Sequence, residues 1–149
     1  MTAKNVQFGQ ALYMANFFSQ VPIDGILGLA FPDIATDSVQ PVLDAMWQQN
    51  LLQQFMFSTY LSSVVNSTAS RLFLGGFDSS YFTGSVVWAD VLLPSYWLVG
   101  MKSVAVSGST VHNCGLGYCP TVIDTGTSIL LFSPEVGNPV RQRLLFAFV

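Results

Sequence analysis

The chain has 149 residues, the size of one ordinary domain, and 51% of them are hydrophobic, so a sizeable core is within reach. Five Lys and Arg stand against eight Asp and Glu, a formal net charge of −3, which excludes the basic phosphate-binding face that a nucleic-acid partner requires. Only 9% of residues are charged, so few charges would remain to repel one another once acid protonates the carboxylates, and an acidic working environment is permitted.

The N-terminal stretch "MTAKNVQFGQALYMANFF" carries a lone Lys4 and an apolar patch broken by Gln10 and Asn16, which makes a poor signal peptide. No run reaches the length of a membrane span. Helical signal concentrates in "DSVQPVLDAMWQQN": Asp37 and Ser38 are cap-type residues, Pro41 stands in the opening turn, and Val42, Leu43, Met46 and Trp47 share a face.

Beyond it the pattern is that of strands. "FMFSTYL" (Phe55–Leu61), "RLFLGGF" (Arg71–Phe77) and "GSVVWADVLL" (Gly84–Leu93) are β-branched or aromatic runs punctuated by Gly, Asp and Ser. Between the first two, Asn66 opens the sequon "NST", a glycosylation acceptor. "YWLVGMKSVAVSGSTV" predicts strands meeting at a tight turn around Ser107-Gly108. Cys114 and Cys119 follow as a close pair; no other thiols or clustered His accompany them, which favours a small disulfide loop over a metal site. With the sequon, the pair points to a secretory product. Trp47, Trp88 and Trp97 are expected in the core, and His112 is expected to face solvent. The fold class is therefore all-β, mainly antiparallel, with one or two short helices.

"VIDTGTS" poses the chemical question. A carboxylate beside a β-branched run is costly to bury unless hydrogen-bonded or paired. One reading makes Asp124 a turn residue bonded to nearby backbone amides. The other makes it catalytic: Val122 and Ile123 hold the strand, Gly126 lets backbone and substrate approach, and Thr125, Thr127 and Ser128 supply orienting hydroxyls.

Several ordered anchors decide between these readings. "IDGILGLAFP" (Ile23–Pro32), "FSTYLSS" (Phe57–Ser63), "LFLGGFDSSYFTGSVVW" (Leu72–Trp88), "SYWLV" (Ser95–Val99), the cysteine pair and "VIDTGTS" stand in the order found in pepsin-type aspartic endopeptidases, and from about residue 6 to about residue 134 the chain resembles that family. The resemblance implies a bilobal β enzyme in which each lobe contributes one Asp from an Asp-Thr-Gly loop and the two carboxylates flank a water. Such a pair shares a proton, the behaviour for which aspartic proteases are the reference case. The ionised member takes a proton from the attacking water and the protonated member donates to the peptide carbonyl oxygen. Asp124 then corresponds to the second-lobe catalytic residue, Gly126 and Thr127 bind substrate backbone, and Cys114–Cys119 forms a disulfide. No metal, cofactor or covalent intermediate is implied. Partners are protein or peptide substrates, and the location is secreted or lysosomal and vacuolar.

The same resemblance divides the chain into the end of a first lobe and an inter-lobe region (1–60), the first part of a second lobe (61–134) and a divergent tail (135–149). "Ile26-Leu27-Gly28" resembles the strand that backs the first catalytic loop. Yet the 149 residues hold one Asp-Thr-Gly; the other Asp residues are Asp24, Asp33, Asp37, Asp44, Asp78 and Asp90, none in that context. The expectation is thus an incomplete pepsin-like fold, a truncated form inactive by itself and prone to self-association through unpaired strand edges. Two alternatives stand beside it: a peptide-binding pseudoprotease that does not cut, and a homodimer in which two copies of Asp124 meet.

Overall fold

A computed structural model describes residues 1–64 and 67–146, and the chain forms two compact units, Met1–Val86 and Val87–Val149. Asn66, the sequon residue, lies outside the described residues.

In the first unit, 3-10 turns at Asn16–Gln20, Pro32–Ile34 and Thr36–Ser38 precede helix α1, Val42–Gln48. The helix begins later than its sequence suggests. Pro41 is its N-cap, and Asp37 and Ser38 occupy left-handed backbone (φ 54° and 53°) in the turn before it. Gln40 is the cause: a residue preceding proline is pushed out of the helical region, so α1 cannot extend back across the Gln40-Pro41 bond. At the other end Asn50 (φ 55°) reverses the chain. Its N–H donates to the Trp47 carbonyl (2.9 Å) and that of Leu51 to the Met46 carbonyl (3.0 Å), the paired bonds of a Schellman cap.

Strands β1 (Phe57–Tyr60) and β2 (Arg71–Leu74) pair antiparallel in the register Phe57↔Leu74 to Tyr60↔Arg71. Leu43, Met46 and Leu52 form the buried core, with Ala3, Leu29, Val42, Leu51, Phe57 and Leu74 packed around it. Gln49 ties the N-terminal segment to this core by accepting from the Lys4 N–H (2.8 Å) and donating back to the Lys4 carbonyl (2.9 Å). Trp47, expected in the core, is instead more than a third exposed and stacks on Phe55, with ring centroids 5.5 Å apart. Tyr81, at the end of the 3-10 turn Ser79–Tyr81, covers Tyr60 and Phe73 on the hairpin.

The second unit holds β3 (Leu93–Pro94), β4 (Trp97–Met101), β5 (Ser103–Val106), β6 (Ser109–Asn113), β7 (Cys119–Val122) and helix α2 (Pro134–Phe146). Antiparallel β3, β4 and β7 form one sheet in that order, and β5 and β6 form a separate hairpin. Ser107 (φ 50°) and Gly108 (φ 78°) both turn left-handed at its tip, as a two-residue type I′ connection requires. Helix α2 packs on β5 and β6, burying Val136 and Val140 four residues apart on one face, and Arg143 Nη2 donates to Ser109 Oγ at 3.2 Å. Mostly antiparallel strands with two short helices and, among the described residues, no closed barrel are consistent with the expected partial pepsin-like architecture.

Three further expectations are corrected. Residues 84–92 form no strand; the ladder begins at Leu93, and Val87 is 90% exposed. Ile26-Leu27-Gly28 has no regular structure, and Ile26 is 83% exposed. Trp88 stands 71% exposed rather than in the core. One cause covers all three: β-branched and aromatic residues form a strand only against a partner ladder and a packed face. Among the described residues neither segment has such a ladder.

Candidate functional site

β7 positions Asp124. It pairs with β4 through Leu98↔Val122, and the Ile123 N–H extends the ladder by one bond to the Trp97 carbonyl (3.0 Å). Asp124 therefore leaves a strand held on one side, and the backbone turns at once: the Thr127 N–H reaches the Asp124 carbonyl at 3.3 Å. Within this turn the Asp124 carboxylate accepts two hydrogen bonds. The Gly126 N–H donates to Oδ1 (2.8 Å) and the Thr127 hydroxyl donates to Oδ2 (2.6 Å). The first is the Asx-type bond of the turn reading; the second adds an orienting side chain. Glycine at 126 has a steric reason, because a Cβ there would sit 3.1 Å from Asp124 Oδ1.

The carboxylate nevertheless stays exposed. Its Thr127 hydroxyl bond first, and its Gly126 N–H bond second, stabilise the charged form and hold the Asp124 pKa below the ordinary carboxylate value. The arrangement can present a fixed, accessible anion at low pH. Of the three hydroxyls expected to orient Asp124, Thr127 does so. The backbone N–H of Gly126 is the kind of donor that the turn reading of Asp124 expected, and the Asp-x-Gly spacing is the signal for an Asx turn. Asp78 is a second carboxylate with a lowered pKa, but its Oδ1 accepts from the Ser80 N–H (2.9 Å) and caps the 3-10 turn, a structural task. An open cavity of the first unit, about 390 Å³ and lined by Leu51, Gln53, Phe73, Leu74 and Phe77, has no carboxylate among its lining residues.

Cys114 and Cys119 are bonded to each other across the β6–β7 connection, their Cα atoms 5.5 Å apart. Gly115 (φ 67°) makes the tight bend, Asn113 Oδ1 accepts from the Gly115 N–H (2.9 Å), and Lys102 Nζ donates to the Gly117 carbonyl (3.0 Å). Tyr118 lies against Gly100 on β4, where a Cβ would come within 3.1 Å of its ring. His112 departs from expectation: it is half-buried, with Nε2 at 3.6 Å from Cys119 Sγ. With its sulfurs joined, this corner offers no thiolate to a metal.

An antiparallel β framework carrying an accessible Asp in an Asp-Thr-Gly turn at a strand end is the architecture of the aspartyl proteases. The model of the eukaryotic aspartyl protease family matches residues 1–144, and the chain belongs to that family. It is 45% identical over 115 residues to pepsin A of Sus scrofa, 45% identical over 113 residues to pepsin II-2/3 of Oryctolagus cuniculus, and 43% identical over 115 residues to pepsin A of Suncus murinus. These matches cover 77%, 76% and 77% of the chain, but it spans only 29%, 28% and 29% of those relatives. Among the described residues no helix is long and apolar enough to cross a membrane.

Proposed function

We propose that Asp124 is one of the two catalytic carboxylates of an aspartic endopeptidase, and that the second comes from outside these 149 residues. The observation that carries this reading is the Asp124 turn: a carboxylate oriented by the Gly126 N–H and the Thr127 hydroxyl, yet open to solvent. Set opposite a second such loop, the two carboxylates repel, share one proton and hold a water between them. The ionised member draws a proton from the water as it attacks the peptide carbonyl, and the protonated member donates to the carbonyl oxygen. Gly126 and Thr127 flank the attack site and contact the substrate backbone. By itself the 149-residue chain does not cut.

Residues 1–60 complete the first lobe and the inter-lobe region, 61–134 begin the second, and 135–149 form the divergent tail. The substrates are unfolded proteins and peptides, met in a secretory or lysosomal setting, where Asn66 would carry a glycan. The test joins these residues to a second Asp-Thr-Gly lobe in one polypeptide and follows hydrolysis of an unfolded protein against pH. A bell-shaped acid optimum is expected, and Asp124→Asn should lower kcat/KM by about 10²–10⁴-fold. A neutral optimum abolished by chelators would reject the mechanism.

One observation favours a second reading. Only one Asp-Thr-Gly is present, so the chain is also suited to binding peptides without cleaving them. Saturable peptide binding that survives Asp124→Asn would select it.

A further inference from the structure

The corner where β6 meets β7 gathers chemistry that the Asp124 reading does not use. A ring nitrogen of His112, Cys114 Sγ and Cys119 Sγ lie within 4.8 Å of one another, and all three residues are half-buried. We propose that reducing the Cys114–Cys119 bond converts this corner into a binding site for a zinc-class divalent ion, with those three atoms as ligands.

Ligand type, spacing and distance agree. Two thiolates and an imidazole suit zinc, and four residues between cysteines fall within the separations its sites use. Zinc bonds of about 2.3 Å to sulfur and about 2.0 Å to nitrogen imply a tetrahedral S···N edge of about 3.6 Å. The separation of Cys119 Sγ and His112 Nε2 is 3.6 Å before any metal enters.

Ladders on both sides hold the ligands in place: His112 pairs with Val104 in the β5–β6 hairpin, and Cys119 pairs with Met101 between β4 and β7. The connection between them is tied by Asn113 to Gly115 and by Lys102 to Gly117, bonds that do not need the disulfide. Opening requires a two-electron reductant, such as a dithiol. The dithiol supplies two electrons and two protons to the Cys114–Cys119 bond and leaves as its own disulfide, and metal binding then releases both thiol protons to solvent. Water completes the tetrahedron at the fourth position.

The test titrates cobalt(II) into the 149-residue chain, oxidised and phosphine-reduced, and then adds zinc in competition. The reduced chain should bind one cobalt with thiolate-to-cobalt absorption that zinc abolishes, and the oxidised chain should show none. Since losing even an outer-shell partner costs about 10–100-fold, His112→Ala should weaken binding at least about tenfold. A second readout, free of any folding defect in the variant, is the His112 ring resonance of the reduced wild-type chain, which should shift on adding zinc. Absence of the thiolate band, a His112 resonance that does not move, His112→Ala binding unchanged, or equal affinity in concentrated guanidinium chloride would each overturn the proposal.

Discussion

Two donors, the Thr127 hydroxyl and then the Gly126 N–H, hold the Asp124 charge to lower pH than an ordinary carboxylate keeps it, and that makes its behaviour testable residue by residue. Its folded-state pKa lies below the ordinary carboxylate value, so the two hydrogen bonds contribute stability above that value and lose it as pH falls through the lowered pKa. Thr127→Val keeps the shape and removes the larger cause; the Asp124 carboxyl resonance should then titrate at higher pH than in the wild type. An unmoved midpoint would show that the hydroxyl bond does not lower the pKa. At this scale the sequence was largely legible, because an Asx turn is local: Asp, Gly and Thr within four residues are enough to build it. His112 was not legible. Its approach to Cys119 depends on the hairpin and the β4–β7 ladder, which bring together residues that local spacing alone does not orient.

Elements whose causes are local were also readable. The Ser107-Gly108 turn and the flanking strands follow from positive-φ chemistry between β-branched runs. The start of α1 is equally local, but the veto of Pro41 over Gln40 outweighs the capping preference of Asp37 and Ser38. Residues 84–92 have the composition of a strand and, among the described residues, no partner ladder that would make them one, which composition cannot reveal. Two predictions belong here. Asn50→Ala places a Cβ-bearing residue without a compensating local side-chain bond in the left-handed cap of α1, and should cost about 1 kcal/mol in denaturant unfolding of the first unit. Reducing Cys114–Cys119 opens a loop with a sequence separation of 5 and should lower the unfolding free energy of the second unit by about 2 kcal/mol. No change on reduction would mean that the surrounding ladders alone hold the corner.

Across the molecule, apolar surface is left uncovered in both units. Phe8 and Ile26 in the first, and Val87, Trp88, Leu130 and Leu131 in the second, are all more than two-thirds exposed. Soluble monomers rarely leave so many large apolar side chains in water. The expected consequence is self-association: the 149-residue chain should sediment as oligomers or bind a hydrophobic dye strongly, whereas a monodisperse monomer with a sharp melt would contradict this. The exposure also accords with a chain that spans 29% of its pepsin relative from Sus scrofa. The proposed chemistry requires two carboxylates, and these residues bring one in an Asp-Thr-Gly context. The most direct test is hydrolysis of an unfolded protein at acid pH by the 149-residue chain, with Asp124→Asn as the control, measured across a wide range of protein concentration. We predict no cleavage above the control at any concentration; cleavage that rises linearly with protein and vanishes in Asp124→Asn would show that one chain suffices and would contradict the account.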